Sequence, residues 1–419
     1  MQPSKGLSWV IQGLYIAFFI SLTCSFRAIS SIVPVLLIIA GLIKNRIETG
    51  TFFTPRLKNP FLFGCILLFL SHVVALFITG ADKAGLADLQ VKAGLVLAPL
   101  AFCSTTISDE LRKKLAVYFI IIIAATAFYC LIRATYNYFQ TRDTSFFFYH
   151  SLVQPVNGHA IYFAVLVFIA LLFLIETYPV TTLVLKRPVR ASLIIFLSIL
   201  LFLLSSRLVL GFYFLYLIAY LAGRVKRRSA NRFLISGALI IVVAGIIALT
   251  TDNPIGRRFS DIMTGNWKVV RMERFNPGMY FNGVQFRLLQ WRFTGEILVE
   301  NHAWVTGIGP GNAQYLLDQK YVSTNMYIGE PERGDRGFLG YNTHNQFLES
   351  LLKTGISGPI VLLFICITLV KWAWQKRKRQ AAFITALFIV WLFTEAVLER
   401  QYGIQIFIFF PLFLWSSEK

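Results

Sequence analysis

Long apolar runs separated by short polar segments recur along most of the chain. A helix that crosses a bilayer needs about 20 mostly apolar residues, and the pattern predicts an all-α integral membrane protein with about 12 spans. The predicted spans are 7–26, 28–43, 61–79, 91–107, 115–136, 159–176, 191–206, 208–222, 233–250, 357–374, 381–398 and 402–416. Only Arg207 separates the seventh from the eighth. We predict two helices and a tight turn there, because an unbroken run would be too long for one span.

One long polar segment divides this pattern into three parts. Residues 1–250 carry the first nine predicted spans, 251–356 form a large loop, and 357–419 carry the last three spans. A loop of this length usually has structure of its own or a function. We therefore expect short helices and the catalytic elements within 251–356.

The composition agrees with a membrane protein and excludes several other classes. Hydrophobic residues make up 56% of the chain and charged residues only 14%, whereas soluble domains are about 25% charged. A soluble nucleic-acid-binding domain is excluded despite the formal net charge of +20, as are a disordered chain and a disulfide scaffold. The five cysteines lie in apolar runs, where we expect buried thiols, and the first run lacks a signal-peptide cleavage pattern.

The positive charges alternate from one loop to the next. With a cytoplasmic N-terminus, the inner loops and termini carry 22 Lys and Arg residues and the short outer loops carry 7. Because cytoplasmic loops are enriched in Lys and Arg, we predict cytoplasmic termini and an outer position for 251–356. Most of the net charge therefore indicates orientation in the membrane.

The first part of the large loop mixes cations with aromatic residues. Seven Lys and Arg side chains lie between Arg257 and Arg292, and they suit either an anionic lipid head group or anchoring at the membrane surface. The periodicity predicts a helix over Gln285–Glu300. Its apolar stripe, with Arg287 alongside, consists of Phe286, Leu289, Phe293 and Ile297.

Two further features of the loop are a glycine-rich stretch and a histidine. The stretch Thr306–Asn312 lacks both a preceding strand and the Gly-Lys-Ser/Thr ending of a nucleotide-binding loop, so we interpret it as a structural turn. His344 opens an amphipathic helix whose polar stripe contains Asn345, Glu349 and Lys353. The position suits a capping or interfacial histidine, and it also suits a general base.

Arg207 interrupts a long apolar stretch of the chain. A guanidinium at membrane depth needs a partner or a cavity, and such residues are usually functional. The planar guanidinium group of arginine can donate two parallel hydrogen bonds to phosphate oxygens. Arg207 is therefore a candidate phosphate ligand.

The motifs around these residues resemble those of the bacterial O-antigen ligases, within the O-antigen ligase/polymerase superfamily. Those ligases carry the pattern His-[Asn/Ser/Gln]-x9-Gly-x2-[Gly/Thr/Tyr]. The pattern is matched in full by His344-Asn345, Gly355 and Gly358.

Two other elements of that family are also present. The Arg-x3-Leu element is similar to the segment that begins at Arg207, although Gly211 stands where the family has Leu. The Arg-x3-Trp element and the Gly-x-Gly-Pro-Gly turn match Arg287, Trp291 and Gly307–Gly311. The order and spacing of the elements extend the resemblance over nearly the whole chain.

The resemblance implies a glycosyltransferase of the GT-C type in the bacterial inner membrane. Such an enzyme takes a finished glycan from an undecaprenyl diphosphate carrier and joins it to the lipid A-core oligosaccharide on the periplasmic face. The resemblance implies no metal and no cofactor, and the partners are the donor, the acceptor and membrane lipids, not nucleic acid.

The chemistry of that reaction assigns roles to particular residues. A diphosphate leaving group needs cations when no metal is present, and Arg207 and Arg287 are the first candidates. His344 would remove the proton from the acceptor hydroxyl, giving direct displacement with inversion. The remaining substrate-binding candidates are Lys83, Arg142, Arg271 and His159, and Glu395 is a candidate partner for an arginine.

Two alternatives remain at this point. An O-antigen polymerase or a protein-glycosylating oligosaccharyltransferase would share the span layout and the outer cations. A lipid-linked glycan flippase belongs to a different class and should place ionisable residues deep inside several spans. Because the ionisable residues cluster near the predicted outer ends instead, the pattern favours a site on one side of the membrane.

Overall fold

The computed structural model describes residues 3–176, 186–226 and 267–415. These residues form 16 α-helices joined by short loops and 3₁₀ turns, and no strand occurs among them. The helices are α1 Pro3–Thr23, α2 Arg27–Thr49, α3 Pro60–Thr79, α4 Lys83–Lys92, α5 Gly94–Ser104, α6 Asp109–Thr141, α7 Tyr149–Val153, α8 Ala160–Glu176, α9 Arg187–Leu203, α10 Arg207–Lys226, α11 Gly283–Glu300, α12 Asn312–Ser323, α13 Gln346–Thr354, α14 Ser357–Lys376, α15 Arg379–Thr394 and α16 Gln401–Trp415.

Many of these helices are apolar enough for a bilayer. Six segments are also long enough to cross one, namely Gly6–Thr23, Ala28–Thr49, Pro60–Thr79, Lys83–Ser104, Asp109–Thr141 and Ser357–Lys376. A bent pair, Tyr149–Val156 with Ala160–Glu176, makes a seventh if it counts as one broken span. Four shorter apolar helices are Pro188–Leu203, Arg207–Gly223, Arg379–Thr394 and Gln401–Leu414. The chain is a helical, membrane-embedded protein, and the count of about 12 spans stays a prediction.

The structure differs from the sequence pattern at the fourth predicted span. The pattern begins this span at residue 91, whereas one membrane-length segment covers Lys83–Ser104. Its first helix is capped by Asp82, whose side chain accepts a hydrogen bond from the backbone of Gly85 at 2.7 Å. Because Asp88 and Lys92 are charged, they interrupt the apolar pattern, and the sequence does not reveal this helix as part of a span. The ninth predicted span, 233–250, lies outside the described residues.

The predicted turn at Arg207 is confirmed. α9 ends at Leu203 and α10 begins at Arg207. Between them Ser205 has a left-handed backbone with φ of 49°, and its hydroxyl donates to the carbonyl of Phe202 at 3.1 Å. The chain therefore reverses here, and Arg207 starts a helix.

The main core surrounds α8 and α16, two helices that are apolar on every face. Every residue of α8 except Ile161 and Glu176 is buried, which is the pattern of a helix enclosed by others. Around α16, Phe409 contacts the rings of Phe18 and Phe102 with centroids 5.1 and 4.8 Å apart. The cysteines are all free, four of them buried and one half-buried, which confirms the expectation of thiols packed among apolar side chains.

A second, smaller core holds the polar segment together. It joins α11, α12 and α13 around Leu289, Phe293 and Tyr321, none of which has an exposed side chain. The predicted helix over Gln285–Glu300 is confirmed as α11, and the residues of its apolar stripe are all buried. Its start is fixed by a capping box between Asn282 and Gln285, which satisfies backbone donors that the helix itself leaves free.

The glycine-rich turn is structural, as predicted, because it closes the C-terminus of α13. The backbone N–H of Ile308 donates to the carbonyl of Leu352 at 2.7 Å, and that of Gly309 donates to Lys353 at 3.2 Å. The last carbonyls of α13, which have no partner inside the helix, are satisfied in this way. A Cβ on Gly307 would lie 2.5 Å from the backbone nitrogen of Gly355, so the two segments meet backbone to backbone.

Gly355 is required by this contact. Its φ of 63° and ψ of −159° define a region that is essentially restricted to glycine, and a Cβ there would lie 2.0 Å from the carbonyl oxygen of Val305.

We expect Gly355→Ala to lower the free energy of unfolding by at least about 1–3 kcal/mol, measured by thermal unfolding in detergent. Gly295→Ala is the control, because a Cβ on that helical glycine would enter open space and alanine favours helix by about 1 kcal/mol. Equal stability of the two variants would contradict this account.

Candidate active site

His344 lies immediately before α13, in a tightly held bend. Asn345 caps the helix, and its side chain accepts hydrogen bonds from the backbone of Phe347 at 2.9 Å and of Leu348 at 3.2 Å. The predicted helix is thus confirmed, although it begins at Gln346 and not at the histidine. His344 itself has a left-handed backbone with φ of 47°, which a non-glycine residue adopts only where its surroundings enforce it.

The bend is enforced by hydrogen bonds to the residues on either side. The indole of Trp291 donates to the carbonyl of Thr343 at 3.2 Å. The backbone and the hydroxyl of Thr343 donate to the carboxylate of Glu349 at 3.1 and 3.0 Å. The backbone N–H of His344 donates to the side chain of Asn342 at 3.1 Å. The imidazole is therefore presented in one orientation.

The imidazole is half-buried and contacts polar and aromatic groups. Its Nδ1 lies 3.0 Å from Oε1 of Gln290 and 3.1 Å from the carbonyl oxygen of Asn342. The ring of Tyr341 stacks on it with centroids 5.8 Å apart. Burial, together with the charges of Arg287 and Arg400, lowers the pKa of His344 to about 4. The histidine is therefore neutral at neutral pH and can accept a proton.

Arg287 projects from the first turns of α11 toward the end of α15. Its Nη2 lies 2.7 Å from a carboxylate oxygen of Glu395, as the sequence suggested for that glutamate. Its Nε donates to the carbonyl of Thr394 at 3.1 Å, and its Nη1 donates to that of Gly283 at 3.1 Å. The guanidinium is held by three contacts on two elements.

Arg207 reaches the same place from the start of α10. A Cβ built on Gly283 would lie 3.5 Å from Nη1 of Arg287 and 3.8 Å from Nη2 of Arg207. The two guanidinium groups therefore converge on one glycine, although 80 positions separate them in the sequence. Glycine at 283 leaves the space between them free of a side chain.

His159 lies at the break between α7 and α8, within an aromatic cluster. Its ring centroid is 4.5 Å from that of His150 and 5.2 Å from that of Tyr162. His150 accepts a hydrogen bond at Nδ1 from the backbone of Ala160 at 3.4 Å, so the pair is fixed at the start of α8. A substrate-binding role for His159 stays a prediction.

Three other predicted substrate-binding residues lie elsewhere. Lys83, Arg142 and Arg271 are exposed, and within the described ranges none of them contacts His344, Arg207 or Arg287. The guanidinium of Arg142 lies 6.0 Å from the ring centroids of Tyr138 and Phe139 on the preceding helix. A role for these three residues stays a prediction.

Arg400 is a site residue that the sequence pattern did not single out. It follows the 3₁₀ turn Val397–Glu399 between α15 and α16, and its charge acts on His344. The sequence feature that could have identified it is a cluster of three ionisable residues in a short break between two apolar runs, namely Glu395, Glu399 and Arg400. Three ionisable residues in so short a break are unusual in a membrane protein.

The largest feature that the sequence did not reveal is a buried charge network that includes α13, the helix that follows His344. Nζ of Lys353 lies 2.7 Å from Asp88 and 3.4 Å from Glu349, and it also contacts Glu399. Nζ of Lys92 lies 2.5 Å from Glu399. The polar stripe of α13 is therefore buried. Its Glu349 and Lys353 are paired, and Lys353 joins α13 to α4 and to the segment after α15.

The pKa of Lys353 reflects these partners. Burial alone would lower it, but the charges of Glu399, Asp88 and Glu349 outweigh burial and raise it well above the usual value. Burial would likewise raise the pKa of Glu399, whereas the Lys353 and Lys92 ammonium groups bring it to about 2. Both groups are therefore charged at neutral pH.

Across the described residues, no group of three or more His, Cys, Asp or Glu side chains could hold a metal ion.

Comparison with known families agrees with the motifs. Residues 192–363 match the family model described as O-antigen ligase. This match supports the O-antigen ligase/polymerase superfamily and, in general terms, an O-antigen ligase or polymerase type of function. The matched range contains Arg207, Arg287, Trp291 and His344. No curated protein matches the chain.

The network makes Lys353 a sensitive position. We expect Lys353→Met to lower the free energy of unfolding by about 3–5 kcal/mol, because it leaves buried carboxylates without their partner. The measurement is unfolding in detergent micelles. Lys320→Met is the control, since Lys320 pairs with the more exposed Glu296 and Glu300 and such pairs contribute about 0–1 kcal/mol. A Lys353 variant as stable as the control would show that the network does not hold α13 in place.

Proposed function

From this superfamily assignment, we propose that the protein is an O-antigen ligase. It transfers a glycan from undecaprenyl diphosphate to the lipid A-core oligosaccharide at the periplasmic face of the inner membrane, within a GT-C-type fold whose termini are cytoplasmic. The observation that carries the proposal is the convergence of Arg207 and Arg287 on Gly283, where the charge of Arg287 also acts on His344. A neutral histidine near Arg287, with Arg207 converging on the same arginine, suits a reaction that deprotonates a hydroxyl and releases a diphosphate.

The arginines bind the donor diphosphate. A guanidinium has five N–H donors, and three of those of Arg287 are occupied by Thr394, Gly283 and Glu395. With respect to the described residues, one donor on each Nη therefore remains for phosphate oxygens. Cations that are already fixed in position stabilise charge as it develops on the leaving group without having to rearrange. Arg207 supplies the second guanidinium at the same point.

His344 acts as the general base in a single displacement. The acceptor hydroxyl oxygen forms a bond to the anomeric carbon of the donor, and the bond from that carbon to the diphosphate oxygen breaks. The diphosphate leaves with the bonding electron pair, and the hydroxyl proton moves to His344. Because attack and departure occur on opposite faces, the anomeric configuration inverts.

A reconstituted assay tests this function directly. It contains purified protein, carrier-linked glycan and lipid A-core. A shift of the lipid A band on a gel indicates a ligase, and a glycan ladder without acceptor indicates a polymerase. Transfer to a protein acceptor indicates an oligosaccharyltransferase, and movement of the donor across the bilayer without a product indicates a flippase. Only the first result agrees with the proposal.

In that assay we expect His344→Asn to abolish transfer, because asparagine tolerates a left-handed backbone but cannot accept the proton. In cells, carrier-linked glycan should accumulate. His302→Asn is a matched control, since His302 is an exposed histidine of the same segment with φ of 50°. Normal transfer by a folded His344→Asn variant would refute the assignment of His344 as the base.

The pH dependence gives a second test. His344 must be neutral to act as a base, so kcat/KM should fall as the pH drops through its pKa of about 4 and should be level between about pH 5 and 7. The fall of kcat/KM at low pH is the acid limb of the pH profile. An acid limb centred on the ordinary histidine pKa of about 6.5 would contradict the electrostatic account. Recovery of activity on return to neutral pH separates titration from unfolding.

A further inference from the structure

We propose that Gln290 is a positioning residue that fixes the proton of the His344 imidazole on Nδ1, so that Nε2 is the nitrogen that accepts the substrate proton. This inference rests on the proposed function only for its catalytic consequence. The contact between the two side chains stands independently of that function and can be tested without substrate.

The surroundings of Nδ1 determine its role. Nδ1 lies 3.0 Å from Oε1 of Gln290 and 3.1 Å from the carbonyl oxygen of Asn342. Both neighbours are acceptors, and a neutral imidazole has one nitrogen that donates and one that accepts. Only a proton on Nδ1 satisfies both contacts, which leaves the lone pair on Nε2.

The orientation of the Gln290 amide is itself determined by its neighbours. Its Nε2 donates to the hydroxyl of Tyr321 at 3.2 Å and also to the carbonyl of Asn342. The hydroxyl of Tyr321 in turn donates to the carbonyl of Tyr341 at 2.9 Å, so it has a lone pair free to accept from Gln290. If the amide were turned over, its oxygen would face the carbonyl oxygen of Asn342. Gln290 has no exposed surface, and no water can compensate for that arrangement.

Three residues of α11 therefore contribute to the site, each in a different way. On α11, Arg287 faces the anion site, Gln290 follows three residues later, and Trp291 holds the carbonyl of Thr343. The spacing places all three on neighbouring positions of the helix surface. A displacement of α11 would disturb the phosphate ligand and the orientation of the base together.

The first test is the tautomer itself. Nitrogen NMR of the full-length protein in detergent, with ¹⁵N-labelled histidine, should show His344 protonated at Nδ1 and not at Nε2, the signal being assigned by its absence in His344→Asn. Gln290→Met keeps the shape but removes the acceptor, and it should weaken the preference for Nδ1–H. A wild-type signal protonated at Nε2 would overturn the proposal without reference to activity.

The second test uses the pH profile. Gln290→Glu places a carboxylate beside Nδ1, and an opposite charge at this distance raises a histidine pKa by about 1–3 units, so the acid limb of kcat/KM should move upward by that amount. Within the described parts of the chain, the other charged or titratable groups that act on or near the ring or Gln290 are Arg287, Arg400, His159, Tyr341 and Tyr321, and the substitution leaves them unchanged. The variant is informative once infrared spectroscopy shows the new carboxyl ionised, because burial favours its neutral form. With an ionised carboxylate, a purely structural role would lower activity without moving the limb, and that outcome would overturn the proposal.

The third test separates kcat from KM. Gln290→Met should lower kcat by about 10- to 100-fold, by analogy with the loss of a partner that orients a metal-bound histidine, with little change in the KM for the donor. Gln319→Met, at an exposed position of α12, is the matched control. If Gln290→Met changes the tautomer while His344→Asn remains active, the base assignment fails and the positioning contact stands. If His344 is essential but Gln290→Met changes neither tautomer nor kcat, the positioning proposal fails alone.

Discussion

The ammonium group of Lys353, surrounded by three carboxylates, is the interaction on which the rest of the site depends. Its partners Asp88, Glu349 and Glu399 lie on α4, on α13 and after α15, so one cation connects three separate parts of the chain. Isolated buried charges are strongly unfavourable, and a network of this kind is stable only when every member is paired. Because the pairing requires one geometry, it allows α13 one position on the helical bundle.

Hydrogen bonds link the position of α13 to that of His344. Glu349, which belongs to the network, also accepts two hydrogen bonds from Thr343, the residue before the histidine. Trp291 and Gln290 on α11 hold the same bend from the other side. The left-handed backbone of His344 persists because it is held from both directions, as strained residues at functional sites generally are.

Three polar residues near the site share a structural origin, because each lies where an apolar helix is interrupted. Arg207 begins the helix after the bend at Ser205, His159 lies in the break before α8, and Arg400 follows the turn between α15 and α16. Irregular backbone at membrane depth is tolerated only where protein or a water-filled cavity satisfies its polar groups. The breaks therefore supply the polar environment that cations and imidazoles require.

The sequence alone is sufficient to predict the helical membrane architecture, because the length of an apolar run depends only on neighbouring residues. It also determined the helix around Arg287, the turn at Arg207, the structural role of the glycine-rich stretch and the candidates His344 and Arg207. Which charges meet is a property of the folded chain. Lys353 and Asp88 are 265 positions apart, and Lys92 and Glu399 are 307 positions apart. Electrostatic and hydrogen-bond energies depend on distances of a few ångströms, and separation along the chain carries no information about those distances. For the same reason the sequence pattern did not single out Gln290 and Arg400, and a role for Lys83, Arg142 and Arg271 stays a prediction.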